Sequence, residues 1–155
     1  MKIQIERTSD FSLLAKLNES VQSLHQKHYP EDFKPFDFEK VTKAFERMLS
    51  TQGTYAYLAK ISSIPIGYIL CFLKTRNENE FQYAKTVLYI DQTSVDEAYR
   101  NQGVAKLLVS EVTKLAEHLN IDEIQLDHWS ENEDAKRFFS ANGFEYFNSR
   151  MKKKI

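Results

Sequence analysis

The run Val95-Asp96-Glu97-Ala98-Tyr99-Arg100-Asn101-Gln102-Gly103-Val104-Ala105 leaves an apolar strand, makes a polar turn and enters a helix through a glycine and a small residue. Gly103 has no Cβ, so a phosphate can approach the main chain there. The first N–H groups of the helix behind it lack partners and stand at the positive end of its dipole. Arg100 adds a fixed positive charge. Apolar residues then recur at Val104, Leu107, Leu108, Val112, Leu115, Ala116 and Leu119, the spacing of a helix with one buried face. A glycine placed only for turn packing gives the same local pattern, so the rest of the chain must decide.

From Ile124 the sequence reads as a short strand through Trp129. Ser130-Glu131-Asn132-Glu133 then has the form of a helix capping box, and a helix carrying Ala135, Phe138 and Phe139 stops at Asn142-Gly143. Working back toward the N-terminus, Lys2 to Arg7 alternates like an edge strand. Asp10 caps a helix with the stripe Leu14, Leu17, Val21 and Leu24, and Asp37 caps another with Val41, Phe45, Met48 and Leu49. Thr54 to Ile61, Ile66 to Lys74 and Phe81 to Val95 suit an antiparallel meander, turning at Ser62 to Pro65 and at Asn77 to Asn79. With two terminal strands added, the elements predict an α+β fold: a mixed, mostly antiparallel sheet of about seven strands with helices on both faces.

Composition bounds the function. The 155 residues suit one domain with one substantial core. A single cysteine excludes an internal disulfide, and Cys71 in its apolar run reads as a small buried residue. A net charge of -1 offers no basic field for nucleic acid, and the basic cluster Arg150 and Lys152 to Lys154 reads as an exposed final strand. No apolar run is long enough to cross a bilayer and no signal-peptide pattern opens the chain, so a cytoplasmic location is expected. Nothing marks a metal site, a linker or a repeat.

Arg100, Gly103 and Ala105 match Arg/Gln-x-x-Gly-x-Gly/Ala, and Asn132, Ala135, Phe138 and Gly143-Phe144 match Asn-x-x-Ala-x-x-Phe-Tyr followed by Gly-Phe. In this order and spacing the chain resembles the GNAT acetyltransferase superfamily. The two motifs span roughly residues 82 to 147, and the hairpin pattern extends the likeness to about residue 54. The resemblance implies a single GNAT domain over residues 1–155. It implies acetyl-coenzyme A as cofactor, with direct transfer of the acetyl group to a primary amine of a small molecule or peptide. It assigns main-chain contacts with the pantetheine arm to Thr93, Ser94 and Val95. The pyrophosphate falls to Arg100, Asn101, Gln102, Gly103, Val104 and Ala105, and further cofactor contacts to Asn132, Ala135, Phe138 and Phe139.

Asp91 stands where many members carry the base. On a regularly alternating strand it shares a face with Thr93 and Val95. Its ordinary pKa, about 4, makes it a weak base at neutral pH unless burial raises it. His128 and Asp127, which point to opposite faces, are the other candidates. Phe139 occupies the position of a tyrosine that often protonates the departing thiolate, and it cannot donate a proton. The acceptor site is expected from His28, Tyr29 and Trp129, within a group that includes His25, Phe33, Phe36 and Tyr146, although these aromatics can simply pack a loop onto the sheet. No nucleic-acid or membrane partner is expected, and a homodimer is compatible. The competing class is a non-catalytic acyl-coenzyme A-binding regulatory module, favoured by Phe139. A structural dimerisation domain without a ligand leaves Gly103, Ala105 and Asn132 with no shared purpose.

Overall fold

Apolar side chains on both faces of its central strands oblige the sheet to be covered twice, and the computed structural model, which describes residues 2–155, shows both covers. The elements are β1 (Ile3–Arg7), α1 (Phe11–His28), α2 (Phe38–Ser50), β2 (Thr54–Ile61), β3 (Ile64–Arg76), β4 (Lys85–Val95), a short 3-10 turn (Glu97–Tyr99), α3 (Val104–His118), β5 (Ile124–Leu126) and α4 (Glu133–Ala141). The strands lie in the order β1-β2-β3-β4-β5, antiparallel throughout except that β4 and β5 run parallel.

Alternation divides the core. Ala56, Leu58, Tyr68 and Leu70 face α1 and α2, where they pack with Leu14, Ala15 and Phe45. Ala59, Ile69, Cys71, Leu88 and Ile90 face α3 and meet Val104, Leu108, Val109, Val112, Leu115 and Ala116. Each fully buried large side chain contributes about 1.5–3 kcal/mol, so both layers hold the sheet. Asp10 and Asp37 cap α1 and α2 by accepting from Leu13 N (2.9 Å) and Lys40 N (3.1 Å). Ser62 and Ser63, both with positive φ, make the tight turn between β2 and β3.

Several expectations change. Among the described residues the sheet has five strands rather than about seven, because residues 145–155 form none. β5 is three residues long and offers a short edge, while Asn148, Ser149, Arg150 and Lys152 to Lys154 supply no alternating apolar face to add to it. Trp129 lies beyond β5, and β4 starts at Lys85, leaving Phe81 and Tyr83 exposed in the preceding loop. Leu107 and Leu24 are 41% and 43% exposed; Val109 and Asn18 occupy the buried positions on α3 and α1 instead. The cap of α4 is Asn132 rather than Ser130.

Candidate functional site at the fork between β4 and β5

β4 and β5 pair only from Leu88 with Ile124 to Ile90 with Leu126. β5 then stops, while β4 continues to Val95 with β3 on one side and, among the described residues, no strand on the other. The two strands therefore open into a fork whose β4 wall offers unpaired backbone.

Asp91 is the pivot. Cys71 pairs with Ile90 and Leu70 with Gln92, so Asp91 is the extra residue of a β-bulge. The bulge overturns the expected arrangement of faces. Gln92 and Ser94, opposite Leu70 and Tyr68, face α1, whereas Thr93 and Val95, opposite Ile69 and Gly67, face α3. Asp91 thus groups with Gln92 and not with Thr93 and Val95. Gln92 Nε2 donates to Asp91 Oδ2 at 3.4 Å, and Asp91 itself reaches solvent. Partial burial pushes its carboxyl above the ordinary value, and the Gln92 amide partly offsets this.

Ser94 Oγ, buried, donates to Leu17 O at 3.3 Å, and Thr93 Oγ1 is buried without a partner. Past Val95, Asp96 caps the 3-10 turn and Arg100 Nε donates to Val95 O at 3.2 Å. Asn101 and Gly103 take positive φ (60° and 83°), which swings the backbone into α3. Gly103 is the N-cap of α3 with no side-chain cap, and a Cβ there would meet no heavy atom within 4 Å. The first N–H groups of α3, from Val104 and Ala105 onward, are therefore left without a side-chain cap.

Across the fork, Asn132 Oδ1 accepts from Ala135 N at 3.0 Å and starts α4. Phe138 and Phe139 are half-buried against the α3 layer. Phe139 stacks edge-on with Phe138 and Phe144, at 5.0 and 5.3 Å, and lines a cavity of about 660 Å³ between α3, β5 and α4. His128 lines the same cavity. Trp129 O can only accept, so His128 Nδ1 donates to it at 3.0 Å; in the neutral ring Nε2 then accepts from Tyr146 Oη at 2.8 Å. Both nitrogens are engaged. Asp127, on the other face, accepts from Tyr89 Oη at 2.6 Å, and burial with this carboxylate pushes the Tyr89 hydroxyl well above its ordinary range.

The structure brings Tyr29 and Trp129 together at 4.3 Å, with Phe33 against Trp129 at 5.2 Å, tying the α1–α2 connection to the loop after β5. Tyr29 Oη is buried without a partner. His28 is exposed at the end of α1, its ring 6.4 Å from that of Tyr29. Sequence reasoning missed Tyr89, Gln92, Tyr68 and Asn18. The adjacent polar pair Asp91-Gln92 inside an apolar strand was the available signal, since neither regular alternation nor a continuous core run accommodates it. Among the described residues, no group of histidine, cysteine and acidic side chains is placed to hold a metal and no helix is long and apolar enough to cross a membrane.

A family model described as the acetyltransferase (GNAT) family matches residues 18–144. No curated protein matches the sequence. Among solved structures, a tetramutant of the BH1408 protein from Bacillus halodurans is similar at a TM-score of 0.89 and 20% identity, covering 100% of both chains. AAC(6')-Iy, an aminoglycoside N-acetyltransferase described in complex with CoA and with a CoA-S-monomethyl-acetylneamine bisubstrate analogue, matches at a TM-score of 0.74 and 17% identity over 100% of this chain and 99% of that one. The aminoglycoside 6'-N-acetyltransferase AAC(6')-Ih from Acinetobacter baumannii matches at 0.73 and 19% over 99% of each. At these identities the structures establish the shared fold.

Proposed function

The chain belongs to the acetyltransferase (GNAT) family, and on that footing we propose that it uses acetyl-coenzyme A to acetylate a primary amine of a small molecule. The observation that carries the reading is the continuous path from the open β4 edge at Thr93 to Val95 into the uncapped start of α3 at Gly103. An extended pantetheine arm suits the former and a diphosphate the latter. The residues fit that ligand: Thr93 Oγ1 is a buried hydroxyl without a partner, and the missing Cβ of Gly103 leaves space over the helix donors.

Thr93, Ser94 and Val95 hold the arm through their main chain, and Arg100 to Ala105 hold the diphosphate. Asn132 keeps its amide N–H free for the ligand while its oxygen caps α4. Ala135, Phe138 and Phe139 form an apolar wall. When bound, acetyl-coenzyme A supplies a thioester carbon that takes the amine nitrogen as the thiolate leaves. Asp91, at the mouth of the fork, receives the proton the amine gives up; the raised carboxyl makes it a better base than an ordinary aspartate. His128 is the weaker candidate because both its nitrogens are engaged. Phe139 provides no acid, and a coenzyme A thiol, acidic enough to leave as the thiolate, needs none there. Tyr29 and Trp129 wall the acceptor side.

Thiol release from acetyl-coenzyme A with neamine, an alkyl diamine, lysine and a short peptide with a free amino terminus tests the activity, with calorimetry of coenzyme A alongside. Turnover with an amine is the expected result. Tight binding with no release for any amine supports the binding-module alternative that Phe139 favours, and absence of binding overturns both.

A further inference from the structure

A buried polar network lies between α1, β3 and β4. Asn18 Nδ2 donates to Tyr68 Oη at 3.0 Å and to Gln92 Oε1 at 3.2 Å, and Tyr68 Oη donates to the same Gln92 oxygen at 2.7 Å. Asn18 and Tyr68 are 7% and 0% exposed. Two buried donors thus converge on one acceptor. Turning the Gln92 amide alone would set its NH2 against them and leave the Tyr68 hydroxyl proton and one Asn18 proton without an acceptor. Turning Asn18 with it would restore those bonds but set the Gln92 oxygen against the Asp91 carboxylate, so the network and the carboxylate together select one orientation. In that orientation Nε2 faces Asp91 Oδ2, 3.4 Å away.

Asp91 needs such a partner. As the extra residue of a bulge it is left out of the β3–β4 ladder, so the sheet does not fix its carboxylate. We propose that Gln92 is a positioning residue, locked by Tyr68 and Asn18 so that its N–H holds the Asp91 carboxylate at the mouth of the fork. This rests on the reading of Asp91 as the base. Tyr68 from β3 and Tyr89 from β4 are titratable groups that feel the Asp91 charge, and Tyr89 also donates to Asp127. Both tyrosines are neutral at working pH, because burial pushes each hydroxyl up. From α1 come uncharged Asn18 and, about two turns on, His25, which burial keeps toward its neutral form. A donor on Asp91 favours its ionised form, whereas burial opposes it.

The test compares the parent with Gln92→Met, which keeps the length and removes the amide, and Tyr68→Phe, which keeps the ring and releases the amide. Two readouts are taken: kcat/KM against pH with the amine from the panel that the parent acetylates, and the Asp91 pKa by carboxyl carbon NMR, assigned with Asp91→Asn. The acidic limb and the NMR midpoint should rise by about 0.5–1 pH unit in Gln92→Met and by less in Tyr68→Phe. Below the limb the rate should therefore fall about three- to tenfold. If Asp91→Asn abolishes the limb while both variants keep the parent's midpoint, the positioning role is overturned and the base stands. If Asp91→Asn keeps the parent's rate and limb, the base reading falls, and an NMR midpoint that still rises in Gln92→Met retains the Gln92–Asp91 coupling without it. Should Gln92→Met not fold, Tyr68→Phe alone decides by the same midpoint.

Discussion

Gly67→Ala sets two effects of opposite sign against each other. Gly67 lies on β3 opposite Val95 with an ordinary φ, so alanine is conformationally acceptable there. Replacing a glycine inside a strand should by itself stabilise the fold by about 0.5–1 kcal/mol. A Cβ at this position, however, would stand 2.7 Å from Ser94 O and 3.2 Å from Val95 Cα. Both are backbone atoms, so no rotamer change relieves the contact. β4 must retreat by about half an ångström or more to restore normal separation. A 2.7 Å approach to backbone puts the overpacking cost at about 2–3 kcal/mol, so the clash wins and the net loss is about 1–2.5 kcal/mol. For a chain of 155 residues that lowers Tm by about 2–10 °C. Because the displaced atoms belong to Ser94 and Val95, coenzyme A affinity should weaken as well. Calorimetric melting and titration with coenzyme A check both parts. A variant that melts at or above the parent refutes the close approach, and one that melts lower but binds coenzyme A as the parent does removes residues 94–95 from the ligand site.

Gly103→Ala forces a side chain into φ +83° with nothing within 4 Å, so it should cost about 1–2 kcal/mol of stability while coenzyme A affinity falls much further. Gly103→Asn, which tolerates the left-handed region, should melt close to the parent yet still bind poorly in the same titration. Asp91→Asn should lower kcat/KM about 10²-fold at neutral pH and abolish the rise in rate through a midpoint above the ordinary carboxylate range. Because burial raises the Asp91 carboxyl in the folded state, its contribution to stability is fully present below its unfolded pKa and is lost as pH rises through the folded value. Melting curves of Asp91→Asn should therefore gain on the parent between acid and neutral pH. Asn132→Ala removes the acceptor for Ala135 N and should cost about 1 kcal/mol, read as a fall in Tm of about 2–4 °C.

What the sequence made legible was whatever repeats. The caps at Asp10 and Asp37, the β2–β4 meander and most of the α3 stripe are periodic or short-range signals, and they appear where expected. Gly103 was legible because a positive φ at a helix start strongly favours glycine. The terminal strands failed because strand formation depends on an available edge, and a three-residue β5 provides little. Leu107 failed because the buried arc of α3 is set by Leu108, Val109 and Ala116 against the sheet, which leaves Leu107 on the far side. For the site, the strand–turn–helix order from Val95 to Ala105 was readable, though not its 3-10 turn or the positive φ of Asn101. The network behind Asp91, by contrast, joins Asn18, Tyr68 and Gln92 across separations of 50, 74 and 24 residues that no local pattern encodes.

The bulge itself follows from burial arithmetic once the sheet is known. Without it, alternation from Leu88 and Ile90 would carry Gln92 and Ser94 onto the α3 face, among Val104, Leu108 and Val112, and would turn Val95 away from that layer. An amide buried there without a partner costs about 1–3 kcal/mol on mutational scales, and the serine hydroxyl adds a comparable cost. One ladder bond lost at the bulge is worth only about 1 kcal/mol. The irregular register is therefore the cheaper one. It matches Gln92 with Tyr68 and Asn18, matches Ser94 with Leu17 O, and returns Val95 to the apolar layer. The residue left over is Asp91, released from the ladder where β5 ends, so the register that satisfies the core also delivers a carboxylate to the mouth of the fork.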